Sequence, residues 1–214
     1  MSTIFTGSCV ALVTPFRDNK IDFDRFRELI DWHIENGTDA ILVAGTTGET
    51  STLTDQEHLD LLRVAGEHIA GRVPYIAGTG SNDTAYSIML SKYAEEQGAD
   101  AVLVINPYYN KSTQKGIYVH IKAIADAIKV PIIVYNVPSR TGANISVSTM
   151  QKLAEIPNVQ AVKEASGDIS QITEIARTCG DKLDVYSGNA TRPCPSFLWA
   201  AKALSPFLPT SFQR

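Results

Sequence analysis

Between residues 9 and 187, short and almost unbroken apolar runs take turns with longer segments in which apolar residues recur every three or four positions. The runs predict strands over 9–14, 40–44, 75–78, 101–105, 132–135, 160–163 and 184–187. The longer segments predict helices near 23–36, 55–70, 84–97, 115–128, 147–155 and 170–178. Asp22, Thr54, Asp83 and Ser146 stand at the starts of such segments, where a short polar side chain can accept a hydrogen bond from an unpaired backbone N–H. Gly37, Gly71 with Pro74, Gly98, Pro131 and Pro157 punctuate the return from helix to strand.

The strands are apolar at successive positions and do not alternate cleanly, which is the pattern of parallel strands covered on both faces. A βα repeat with right-handed crossovers leaves two α/β architectures, an open doubly wound sheet or a closed (β/α)8 TIM barrel. Polar residues sit at the ends of many strands and are not gathered at one switch point. No GxGxxG follows the first strand, and the rhythm runs unchanged through seven strands. These features favour the barrel.

The chain has 214 residues, 44% hydrophobic and 20% charged, with a formal net charge of -4, so no basic footprint for nucleic acid or acidic lipid is present. Its apolar runs are strand-length, short of the roughly 20 residues a membrane helix needs. The opening stretch MSTIFTGSCVALVTPF has no basic segment and its apolar run ends at a proline, so no secretory signal is expected. Cys9, Cys179 and Cys194 form neither a disulfide framework nor a zinc pattern, and a cytoplasmic setting is the expectation.

In a barrel, chemistry gathers at the C-terminal ends of the strands. Those ends read GTTGE (45–49), NPYYN (106–110), YNVPSRTG (135–142), Lys163 and SGN (187–189). Each has an ordinary structural reading: a helix-capping turn, aromatic packing or a subunit contact, a surface arginine, a structural ion pair. Their coincidence on one face points to a site. A lysine facing a packed interior loses hydration, its pKa falls, and a neutral amine can attack a carbonyl to form a Schiff base. Tyr135 ends the neighbouring strand and can move protons. Thr46 and Thr47, in a glycine-flanked turn entering a helix, offer hydroxyls and N–H groups to a carboxylate. Arg140 offers a planar fork to a second carboxylate.

GTTGE, NPYYN, YNVPSRTG and VKEASGD resemble the dihydrodipicolinate synthase branch of the pyruvate-dependent Schiff-base aldolases, the N-acetylneuraminate lyase family, over residues 1 to about 189. The resemblance implies a (β/α)8 barrel with a C-terminal helical extension, usually a homotetramer. The implied reaction is a lyase-type condensation of pyruvate with L-aspartate 4-semialdehyde to 4-hydroxy-tetrahydrodipicolinate, in the diaminopimelate route to lysine. It implies no cofactor, since pyruvate is held covalently. By position it makes Lys163 the Schiff-base lysine and Tyr135 the relay tyrosine, linked through Thr47 to Tyr109, which in the family crosses a dimer interface. Thr46 and Thr47 fall at the pyruvate carboxylate, Arg140 at the semialdehyde carboxylate, and Gly188 near bound pyruvate. The related keto-sugar-acid aldolases share the lysine and tyrosine, but Arg140 matches the synthases. His58 and Asn82 fit the feedback site of lysine-sensitive members, whereas Tyr86 replaces a glutamate there, so weak or absent inhibition by lysine is expected.

The tail departs from this pattern. ATRPCPSFLWAAKALSPFLPTSFQR (190–214) stands where the family continues with an acidic pair, a helix, an eighth strand and further helices. Codons for this stretch, with one base restored in the codon after Asn189, can read Asp-Asp-Gln-Thr-Leu-Pro-Ile and then a strand-like segment. Residues 1–189 are therefore expected to form an incomplete barrel of seven strands with open edges, and 190–214 an out-of-frame tail. An inactive, misfolding fragment is the alternative expectation for the chain as written, and a keto-acid-binding barrel without catalysis is a further one.

Overall fold

Arg25 N donates to the Asp22 carboxylate at 3.0 Å, Ala85 N and Tyr86 N donate to that of Asp83 at 2.8 and 3.1 Å, and Thr149 N donates to Ser146 Oγ at 3.3 Å. At Thr54 the exchange is reciprocal: Glu57 N donates to Thr54 Oγ1 and Thr54 N to the Glu57 carboxylate, a capping box. All four expected caps thus start helices.

The structure, a computed structural model, describes residues 3–188 and 201–204. Its elements run β1 (Gly7–Ala11), β2 (Phe16–Arg17), β3 (Lys20–Ile21), α1 (Phe23–Glu35), β4 (Ala40–Val43), α2 (Asp55–Ile69), β5 (Tyr75–Gly78), α3 (Thr84–Glu96) and β6 (Ala101–Ile105). Then follow α4 (Gln114–Ala125), β7 (Ile132–Asn136), α5 (Pro138–Thr141), α6 (Val147–Leu153), β8 (Val159–Glu164), α7 (Ile169–Cys179), β9 (Asp184–Ser187) and β10 (Ala201–Leu204). All seven expected strands and six expected helices are present, with ends shifted by a few residues. The β2–β3 hairpin, whose Asp18-Asn19 turn takes positive φ at both positions, and the one-turn helix α5 are additions.

The parallel strands close in the order β1-β10-β9-β8-β7-β6-β5-β4. The (β/α)8 barrel class expected from the sequence is therefore observed. The expected open edges are not: Ala201–Leu204 pairs with both β1 and β9. Strand pairing is a backbone affair, so a four-residue segment with weak side-chain patterning can still satisfy two exposed edges. Among the described residues no helix follows β10. The out-of-frame reading otherwise falls on positions outside the described residues.

Successive strand residues divide between two apolar clusters. Ile41, Val43, Val102, Val104, Ile132 and Val134 face the helices. Ala40, Leu42, Ala101, Leu103, Ile133 and Tyr135 fill the barrel interior. Both faces are dry, which is why the sequence shows continuous runs in place of alternation.

Candidate active site

Strict alternation along β8 would put Lys163 on the wrong face. Val159 packs in the outer cluster, and four residues later Lys163 would face the same way. A register irregularity intervenes: Ile132 pairs with Val159, yet its neighbour Ile133 pairs with Ala161, leaving Gln160 unopposed. The bulge reverses the parity, so Ala161 joins the interior cluster, Val162 the outer one, and Lys163 turns inward.

Inside, Lys163 is 4% exposed and stands in register between Tyr135 on β7 and Tyr186 on β9. Its Nζ lies 4.8 Å from the centre of the Tyr135 ring. The Tyr186 hydroxyl is committed to the backbone, donating to Phe5 O at 3.2 Å, and its ring stacks on Phe5 at 4.4 Å. Tyr135 alone of the two also lines the cavity above the barrel. That cavity holds about 220 Å³, and its wall includes Thr46, Tyr108, Tyr135, Arg140 and Thr141. Lys163 is not part of the wall and meets it through Tyr135.

Burial holds the Lys163 ammonium far below its usual range, from 10.5 to about 8; a Cys9 thiolate would raise it and the Arg140 charge lowers it. Cys9, itself pushed up to about 12 by burial, stays a thiol at neutral pH. Burial also raises the Tyr135 phenol, against the pull of Arg140, so it remains protonated and can donate. The depressed lysine means that the unfolded chain binds more protons between pH 8 and 10.5. Burial of the ammonium then costs about 3 kcal/mol below pH 8, a penalty that fades as pH rises to 10.5. Capture of a carbonyl compound by Lys163 should therefore rise about tenfold per pH unit below pH 8 and level off above it, read as the rate of borohydride-trapped adduct.

The remaining expected residues distribute unevenly. Thr46 and Thr47 sit in a 3₁₀ turn (Thr46–Gly48), followed by a second one (Thr50–Thr52), and not at the start of α2 as the sequence suggested. Glu49, in the left-handed region at φ 56°, separates the two turns. Thr14 Oγ1 donates to Gly48 O at 2.7 Å and ties the first turn down. Thr47 Oγ1 is buried and has no hydrogen-bond partner among the described residues. Arg140 rides on α5 and is exposed. Gly188 follows β9 so closely that a Cβ there would stand 3.3 Å from Lys163 Cε and 3.0 Å from Ala165 Cβ. Tyr109 is 90% exposed at φ 70° and does not reach the cavity of its own chain. The Thr47–Tyr109 link is accordingly not made within one chain. Its neighbour Tyr108 lines the cavity instead, a residue the sequence reading left unassigned within NPYYN.

At the expected feedback-site positions, His58 Nε2 lies 3.1 Å from Gly78 O, and burial lowers its pKa. Asn82 Nδ2 donates to Tyr108 O at 3.4 Å. The Tyr86 phenol is pushed up to about 12, first by burial and then by Asp55 nearby.

Residues 4–199 match the family model described as the dihydrodipicolinate synthetase family. A 4-hydroxy-tetrahydrodipicolinate synthase from Clostridium perfringens is 56% identical over 192 residues, covering 90% of this chain and 66% of that relative. Among solved structures, dihydrodipicolinate synthase from Aquifex aeolicus superposes with a TM-score of 0.93 at 46% identity, covering 94% of this chain and 69% of that one. The enzyme from Cyanidioschyzon merolae with lysine bound gives 0.92 at 40% identity, covering 96% and 70%. The chain thus spans just under two thirds of the length of the curated relative.

Proposed function

The chain belongs to the dihydrodipicolinate synthetase family, and on that premise we propose that it carries the pyruvate-condensing site of a 4-hydroxy-tetrahydrodipicolinate synthase. The observation that carries this reading is a buried lysine with a depressed pKa, turned inward by a bulge and set 4.8 Å from a tyrosine ring on the cavity wall.

The neutral Lys163 amine attacks the C2 carbonyl of pyruvate. The carbinolamine loses water to give the Schiff base, and a C3 proton leaves to give the enamine. The enamine carbon attacks the aldehyde of L-aspartate 4-semialdehyde, whose oxygen takes up a proton. The amino group of the adduct then displaces Lys163 from C2, closing the ring. One water leaves in total, and no redox or group-carrying cofactor is needed. Tyr135, raised by burial and thus protonated, moves protons at the carbinolamine and the C3 carbon. Thr46 and Thr47 fit the pyruvate carboxylate, and Arg140 the carboxylate of the second substrate. Tyr109, projecting from the chain, fits a role completed by a second copy, in the homotetramer typical of the family. The setting is cytoplasmic; among the described residues no helix is long and apolar enough to cross a membrane.

Tyr135→Phe keeps the ring beside Nζ and removes only the hydroxyl. Turnover should fall about 10²-fold, with a smaller change in the KM for pyruvate, measured by steady-state kinetics. A lysine titration should show weak inhibition, because the neutral phenol of Tyr86 stands where an ammonium would want a free carboxylate. Strong inhibition would remove that reading. The reading as a whole is tested by product formation from pyruvate and the semialdehyde; turnover with sugar-derived substrates alone would favour the keto-sugar-acid aldolases. Residues 190–214 are proposed to be an out-of-frame tail, tested by resequencing the codon after Asn189; a frame without a slip would sink that proposal.

A further inference from the structure

One step beyond the Tyr135–Lys163 pair, Asn136 ends β7 in register with Glu164 at the end of β8. Both are buried, 0% and 2% exposed. Asn136 Nδ2 donates to both Glu164 carboxylate oxygens at 3.1 Å and to Asn144 Oδ1 at 2.9 Å. Its Oδ1 accepts from Ile145 N at 3.0 Å. Ser166 N donates to Glu164 Oε1 at 2.9 Å. The backbone repeats the link: Ala165 N donates to Asn136 O at 2.9 Å, and Gly188 N to Glu164 O at 2.8 Å. Asn144 Nδ2 reaches on to Gln171 Oε1 at 2.7 Å.

A buried carboxylate and amide are a poor choice for stability alone, since well-packed apolar residues of similar volume serve as well or better. Their placement answers a different need. Consecutive strand residues face opposite ways, so a Glu164 locked outward is a Lys163 locked inward. Asn136 does the same for Tyr135. Through Asn144 and Ile145, Asn136 also grips the far end of the loop that begins with α5 and carries Arg140.

We propose that Asn136 and Glu164 are positioning residues, which fix Lys163 against Tyr135 and hold the Arg140 loop over the same cavity. The inference rests on the Schiff-base reading above.

The test compares Asn136→Asp, Glu164→Gln and the double variant with the parent chain. The readouts are the rate of borohydride-trapped pyruvate adduct per folded chain, the pyruvate concentration giving half that rate, and the folded fraction by near-ultraviolet circular dichroism. Each single variant should trap about 100-fold more slowly, the cost of a displacement near 1 Å at the reacting atoms. The half-saturating concentration should move far less. The double variant, which reverses donor and acceptor across the pair, should recover about tenfold or more of the lost rate. Variants that lose only folded fraction, with the parental rate per folded chain, would overturn the inference, as would a double variant no faster than the singles. If the single variants do not fold, Asn144→Ala decides. It removes the solvent-side acceptor together with the link to Gln171, leaves the Asn136–Glu164 pair in place, and should raise the KM for the semialdehyde severalfold with trapping unchanged; an unchanged KM would overturn the inference. A parent chain that folds and traps nothing overturns the Schiff-base reading itself, whereas a trapping parent matched by its variants overturns this inference alone.

Discussion

Replacing Lys163 with alanine is expected to lower turnover by at least about 10³-fold and to abolish the borohydride-stable pyruvate adduct. The size of the effect follows from the role. A residue that forms the covalent bond cannot be bypassed by the others, because the carboxylate-binding and proton-moving groups act only on a substrate already joined to the chain. The same substitution should leave the stability of the fold below pH 8 nearly unchanged. The buried ammonium costs about 3 kcal/mol there, and alanine removes that cost in exchange for a cavity whose own penalty is of similar size, about 2–5 kcal/mol. Loss of activity with a nearly unchanged unfolding midpoint in urea is a signature that a structural lysine would not give. A structural ion pair broken at one partner would instead destabilise by several kcal/mol.

Inserting one alanine between Val162 and Lys163 should have a comparable effect on activity by a different route. The bulge at Gln160 already sets Ala161 inward, Val162 outward and Lys163 inward. With one more residue, β8 held by its upstream pairings would turn Lys163 outward and bring Glu164 into the interior. Held by its downstream pairings, it would swing Val162 into the interior and Ala161 toward the helices. A one-residue slip reverses every side chain, so each register sacrifices one end of the strand. The insertion variant should trap pyruvate at least about 100-fold more slowly and lose several kcal/mol of stability. Deleting Gln160 should do neither, because regular alternation from Val159 then gives the same facings for Ala161, Val162 and Lys163. Trapping at the parental rate by the insertion variant would show that strand register does not aim Lys163.

The strand and helix sequence of the barrel was legible because both strand faces are apolar and the helix starts carry strong caps. Lys163 stood out as a cation closing an apolar strand. Its inward direction did not follow from alternation, since the bulge at Gln160 has no signature in the residue itself. Tyr186 was hidden for the same reason: that Lys163 sits between two tyrosines appears only once β7, β8 and β9 are set in register. The Asn136–Glu164 pair lies 28 positions apart and becomes a unit only through strand pairing. Pairing of Ala201–Leu204 with β1 and β9 escaped the sequence because its stretch lacks a strand pattern, while the two edges it joins supply the demand for backbone partners. Tyr109 was named from its motif, yet it stands 90% exposed and away from the cavity that its neighbour Tyr108 lines, a direction that the motif alone does not give.

Lys163 is proposed as the residue that captures pyruvate. The most direct measurement incubates the folded chain with pyruvate, reduces it with borohydride, and maps the adduct by peptide mass spectrometry. A single adduct on the peptide containing Lys163, absent when pyruvate is omitted, is the predicted result. A folded chain with no adduct, or with the adduct on another lysine, would contradict it.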